Sequence, residues 1–169
     1  MEDASPSNAV LQLRATAYHE AGHAVMAVAL GRSVQKVTVT PGQLQTGGVR
    51  LGACAMKKGR RKASDDPLED EVLILMAGMV AESHFTGQYC QRGATQDLLH
   101  VRRLLETRAK NEKQLERLRR RMLDKTEYYL AEAAHAQAIT WIAEELIAKQ
   151  SISGRAVEHF FNQAVSAAK

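Results

Sequence analysis

The sequence has little that would staple, anchor or drive a chain. Two cysteines, Cys54 and Cys90, among 169 residues are too few for a disulfide framework, so they read as free thiols of a reducing compartment. The longest apolar stretches, "AVMAVAL" and "EVLILMAGMVA", fall well short of the roughly 20 residues that a spanning helix needs. The opening "MEDASPSNAV" lacks the basic start and apolar run of a signal peptide. A cytoplasmic protein with no membrane segment is therefore expected. No G-x-x-x-x-G-K-[ST] loop occurs, so no ATPase is read in these residues. Aromatics make up 5% of the chain and do not interleave with basic side chains, which argues against a stacking platform for single-stranded nucleic acid.

What is present is ordinary for a globular protein: 45% apolar and 25% charged residues. The length suits one compact domain. Residues 1–169 are read as a single domain, with a core over about 9–110 and C-terminal helices over about 111–169. The net charge of +4 is largely local. Lys57, Lys58, Arg60, Arg61 and Lys62 form one basic run, and Arg117, Arg119, Arg120 and Arg121 another. Both read as solvated surface, and no nucleic-acid partner is expected.

The pattern of elements points to a mainly α (α+β) fold, with a small β-hairpin or sheet edge and a helical C-terminal region. A helix is expected from about Ala9 to Leu30, closed by Gly31. In "SVQKVTVT" Val37 and Val39 alternate with Thr38 and Thr40 as in a half-buried strand, and "GVRLGAC" can pair with it. "MKKGRRKASDDP" reads as a mobile loop, leading to a cap at Asp65 or Asp66 and to Pro67 in the first turn of the next helix. Thr95 is expected to cap a helix over about Gln96–Lys110. Residues 111–150 stay helical in pattern, with a break expected near Asp124, and Ser153 can cap a last helix.

The chemistry concentrates in "TAYHEAGHAVMAVAL". His19 and His23 stand four residues apart, so on a helix both imidazoles share one face and can grip one ion. Glu20 sits beside that face, placed to take a proton from metal-activated water. H-E-x-x-H is thus a zinc-hydrolase signature with a mechanism behind it. Gly22 inside the helix costs about 1 kcal/mol relative to Ala, which suggests a neighbouring segment passing close by. A catalytic zinc usually takes three protein ligands. Glu82, His84, Asp97, His100, His135 and His159 all remain candidates for the third.

"TAYHEAGHAVMAVAL" followed by "VQKVTVTP" resembles the proteolytic domain of the FtsH-type, membrane-anchored, ATP-dependent zinc metalloproteases. "LILMAGMVAESHFTG", "GATQDLLHVRRL" and "AKQSISGRAVEHFF" continue the resemblance in the family's order, over nearly the whole chain from about Ala15. It implies a Zn2+ cofactor held by His19, His23 and Asp97, with Glu20 as general base. Glu82 is then expected to bond a ligand or a nearby backbone group rather than the metal. It also implies that an extended substrate pairs with a sheet edge formed by Gly47, Gly48, Val49, Arg50 and Leu51. The sequence departs from the family pattern at Met79, Ser83 and Gln96, and "ETRAKNEKQLERL" runs straight through where the family carries an extra segment.

The expected function is a zinc-dependent endopeptidase that cuts unstructured polypeptides or those delivered by a separate unfoldase. The alternative is a non-catalytic, protease-like interaction module working with a separate ATPase. The family's hexamers are not carried over to this chain, and a homo-oligomer stays open.

Overall fold

The computed structural model describes residues 7–43, 49–90 and 94–169. Two long helices form its centre. The first, α1, spans Asn8–Ala29, and the Ser7 hydroxyl accepts the Val10 N–H at its start. From Ala15 to Ala27 every residue but Tyr18 is buried. The helix ends where Gly31 takes a left-handed φ of 80°, a turn for which glycine carries no steric penalty. The second, α2, spans Pro67–Thr86, with the Asp66 carboxylate accepting the Glu69 N–H at 3.0 Å. Of the two caps expected, Asp66 is therefore the one used.

These helices lie unusually close together because small residues face each other. A Cβ on Gly22 would fall 2.4 Å from the Ala77 carbonyl oxygen and 2.5 Å from the Ala81 methyl. The glycine's cost in helix propensity is thus offset by a close approach that no larger residue allows. That approach sets the depth at which His19 and His23 meet α2.

A three-stranded antiparallel sheet covers one side of the helices. Its strands are β1 (Val34–Thr38), β4 (Ala53–Met56) and β5 (Ser151–Ser153), in the order β4-β1-β5. A register shift between Val34 and Lys36 lets Val34 and Val37, three residues apart, both turn inward. Val39, just beyond the strand, is buried as the alternation predicts. Strand β5 has no counterpart in the sequence reading. Its three residues contain a single buried apolar side chain, Ile152, too short a pattern to register. A separate two-stranded ladder joins β2 (Gly42–Gln43) to β3 (Val49–Arg50).

The remaining helices are α3 (Thr95–Glu106), α4 (Glu112–Ala131), α5 (Ala133–Lys149) and α6 (Gly154–Ala167). Three boundaries differ from expectation. Thr95 is the first residue of α3 rather than its cap; Ala94 holds the cap position, with no side-chain cap bond. That helix also stops at Glu106, short of Lys110. The break in the long helical stretch falls at Glu132, whose backbone is extended (ψ 130°), and not near Asp124. Asp124 is exposed and asks for no break. At Glu132 the chain turns so that α4 packs on α2 while α5 packs on α1, and the Tyr129 carbonyl accepts from both the Glu132 N–H at 3.4 Å and His135 Nδ1 at 2.7 Å. The basic loop is fastened rather than loose: Arg60 donates to the Leu30 carbonyl at 2.7 Å and pairs with Asp70, and Arg61 pairs with Glu158.

Candidate metal centre

Three helices converge on one point. Helix α1 presents His19, Glu20 and His23, all buried. Helix α3 brings Asp97 in its first turn. Its Oδ2 lies 3.1 Å from His19 Nε2 and 3.2 Å from His23 Nε2. Helix α2 holds the far side of each ring: Glu82 Oε2 is 3.0 Å from His19 Nδ1, and the Ile74 carbonyl oxygen is 2.7 Å from His23 Nδ1.

These second contacts decide which nitrogen faces the centre. A carbonyl oxygen only accepts, so His23 Nδ1 must carry the proton and donate it to Ile74. A carboxylate at His19 Nδ1 favours the same tautomer. In the neutral rings, both Nε2 lone pairs then point at a carboxylate oxygen. Three electron-rich atoms meeting in this way repel one another unless protons or a cation lie between them. Their ligand atoms lie within 4.8 Å of one another, and the donor set of two imidazoles and one carboxylate suits a divalent ion such as zinc. Gly78 supplies the clearance. A Cβ there would sit 2.5 Å from His23 Nε2 and 2.6 Å from His19 Nε2.

Protons on the imidazoles can meet the same need. Burial acts to lower the pKa of both imidazoles, but Asp97 outweighs it, helped at His19 by Glu82. His19 is pushed up to about 10, and His23 also moves up. The same contacts hold Asp97 below the usual carboxylate range against the opposing effect of burial. Burial raises Glu20, against the pull of the two histidines.

The centre lies in a cleft of about 1330 Å³, walled by α1, α2, the start of α3 and residues 49–56. Glu20 packs against the strand side of this cleft. A Cβ on Gly52 would fall 2.9 Å from Glu20 Oε1.

The model of Peptidase family M41 matches residues 10–111. The chain belongs to peptidase family M41. The match contains every residue of the cluster. Among curated proteins, the ATP-dependent zinc metalloprotease FtsH of Protochlamydia amoebophila (strain UWE25) is 40% identical over 89 residues, covering 50% of this chain and 9% of the relative. The protein of the same name from Chlamydia trachomatis serovar L2 (strain ATCC VR-902B / DSM 19102 / 434/Bu) is 34% identical over 98 residues, covering 56% and 10%. The chain thus spans about a tenth of the length of these relatives.

Of the six residues weighed as a third partner for the imidazoles, Asp97 is the one brought to them. Glu82 reaches His19 from behind instead. His84 pairs with Glu127 at 2.8 Å, His135 serves the α4–α5 junction, and His100 and His159 are exposed. The Ile74 carbonyl and the notch at Gly78 were not singled out from the sequence. A backbone oxygen leaves no trace in side-chain identity. Gly78 did leave one: a glycine inside a long helix costs about 1 kcal/mol against Ala and asks for a reason. Of the expected sheet edge, Gly47 and Gly48 lie outside the described residues, and Val49 and Arg50 pair with β2. Among the described residues each of β3 and β4 is paired on one side only, and both line the cleft.

The raised imidazoles predict a pH response with a definite sign. A pKa lifted on folding adds stability that is fully present below the unfolded value, about 6.5, and is lost as pH rises through the folded one. Metal-free protein is expected to lose thermal stability between pH 6.5 and about 10, the value reached by His19. Zinc-loaded protein, its imidazoles already deprotonated, is expected to stay level over that range. Melting curves with and without zinc check this, and parallel curves would refute it.

Proposed function

We propose that this chain is a zinc endopeptidase acting on unstructured polypeptides. The observation that carries the reading is the convergence of His19 Nε2, His23 Nε2 and Asp97 Oδ2 on one point, with the Glu20 carboxylate beside it in the cleft. His19, His23 and Asp97 would hold the ion. What a bound zinc supplies is Lewis acidity, toward a water and toward the scissile carbonyl.

The chain's own residues do the rest. Glu82 and the Ile74 carbonyl fix both rings, so their lone pairs stay aimed without reorganisation. Glu20 accepts the proton of the attacking water on a carboxylate oxygen and then delivers it to the departing amine nitrogen. Burial raises its pKa, which brings the protonated form within reach for the second transfer. The open side of β4, with residues 49–52 leading into it, would pair with an extended substrate backbone and give sequence-tolerant binding. A folded protein has no such segment to offer, so substrates arrive already unstructured or fed in by a separate unfoldase.

The test is direct. Purified protein is expected to retain about one zinc per chain, as three protein ligands and one open position imply, and to cut a denatured, dye-labelled protein. Zinc-loaded protein that leaves every such substrate intact would overturn the reading.

A further inference from the structure

Among the described residues lining the cleft, Arg50 is the one lysine or arginine. Other arginines are taken: Arg32 pairs with Glu71, Arg60 with Asp70 and Arg61 with Glu158. No described carboxylate pairs with Arg50, and its side chain is exposed. It is nonetheless held in place. Arg50 stands directly opposite Gly42 in the β2–β3 ladder. Its guanidinium lies across that position, where a Cβ on Gly42 would come within 2.8 Å of Nε and 3.2 Å of one terminal nitrogen. The glycine acts as a shelf for a cation that no described carboxylate pairs with. Its chain neighbours Val49 and Leu51 are exposed by 65% and 43% and line the same cleft, so the cleft wall near Arg50 offers apolar surface as well as charge. Arg50 lines the same cleft as His19, Glu20 and His23, which places it on the wall of the reacting centre.

We propose that Arg50 is a specificity determinant, recognising the side-chain carboxylate of an Asp or Glu within two or three residues of the scissile bond. A planar guanidinium offers paired N–H donors that match a carboxylate, and charge-assisted pairs of this kind are stronger than neutral ones. An extended substrate spans about 3.3–3.6 Å per residue, so only side chains close to the cut bond can reach a group on the cleft wall. This inference rests on the peptidase reading and adds a preference to it.

The experiment uses peptides with both termini capped, differing only by Glu against Gln at each of three positions on either side of one cleavage site. At one position the wild type is expected to favour Glu by about tenfold in kcat/KM, the size of one charge-assisted hydrogen bond. Arg50→Gln should bring that ratio close to one, and Arg50→Glu should turn the preference toward Lys at the same position. Raising the salt concentration should shrink the ratio, since the pair forms near the surface. A second arm measures binding of the same peptides to zinc-loaded Glu20→Gln protein. It reads the Glu/Gln ratio even if no peptide is cut, so failure of the peptidase reading and failure of this one are distinct. A role for Arg50 through Glu20 alone would instead shift the pH profile with the Gln peptides and leave the Glu/Gln ratio at one. Ratios near one throughout for the wild type, or a ratio that survives Arg50→Gln, would overturn the proposal.

Discussion

Glu20→Gln is expected to keep its zinc and to lose peptide cleavage by about 100- to 10,000-fold, the range that a positioned general base contributes. The two groups match in size and shape, and the site is buried, so the helix and its packing have little reason to change. Glu20 is not among the three clustered side chains. Its replacement therefore removes no proposed ligand. What disappears is the capacity to hold a proton on oxygen. A carboxamide cannot accept the water proton and has none of matching acidity to return to the amine. The measurement is metal content by mass spectrometry alongside initial rates on an unfolded substrate. Robust cleavage by the metal-loaded variant would sink the assigned mechanism. Loss of the metal together with the activity would show that Glu20 does more to hold the site than this geometry allows.

Gly78→Ala is expected to cut zinc affinity by about 100-fold or more, at or above the upper end of what changes behind metal ligands cause. The added methyl would stand 2.5 Å from His23 Nε2 and 2.7 Å from its Cε1, and 2.6 Å from His19 Nε2. Neither ring can step aside cheaply, because each is bonded at its Nδ1 to α2 itself. Moving a ring to clear the methyl breaks that bond or turns the lone pair away. The helix should not suffer from the substitution as such, since Ala is favoured over Gly by about 1 kcal/mol in a helix interior. The signature is therefore a protein with wild-type helix content by circular dichroism and badly weakened zinc binding in a competition titration with a chelator. Wild-type affinity in this variant would mean that His19 and His23 do not together hold the ion.

The residues that were legible in the sequence are those whose reasons are local. The H-E-x-x-H spacing needs only the helix period, and α1 puts both imidazoles on one face. Asp66 and Ser153 announce helix starts by type and position, and both cap as expected. Asp97 was different. Seventy-four residues separate it from His23, and periodicity left it among six candidates; only the resemblance to a family singled it out. The break at Glu132 and the strand β5 both depend on what packs beside them. Glu132 breaks the chain because α4 and α5 lean on different partners, a tertiary fact with no local signal. Ser151–Ser153 becomes a strand because β1 has a free side to offer, again a matter of what lies next to it. Gly42 and Gly52 carry no sign in the sequence of the side chains, Arg50 and Glu20, that they make room for.

Ile74, Gly78 and Glu82 are spaced four apart on α2, as His19 and His23 are on α1. One helix thus carries a row of acceptor, gap and acceptor that the other reads with two rings. Slide either helix by a turn, and His23 would meet the gap or His19 would lose its carboxylate. The pair works as a vernier, in which only one alignment of the two scales aims both lone pairs at the same place. Packing assembles the site, and an ion arriving there can find its ligands only after the two helices have settled into that alignment.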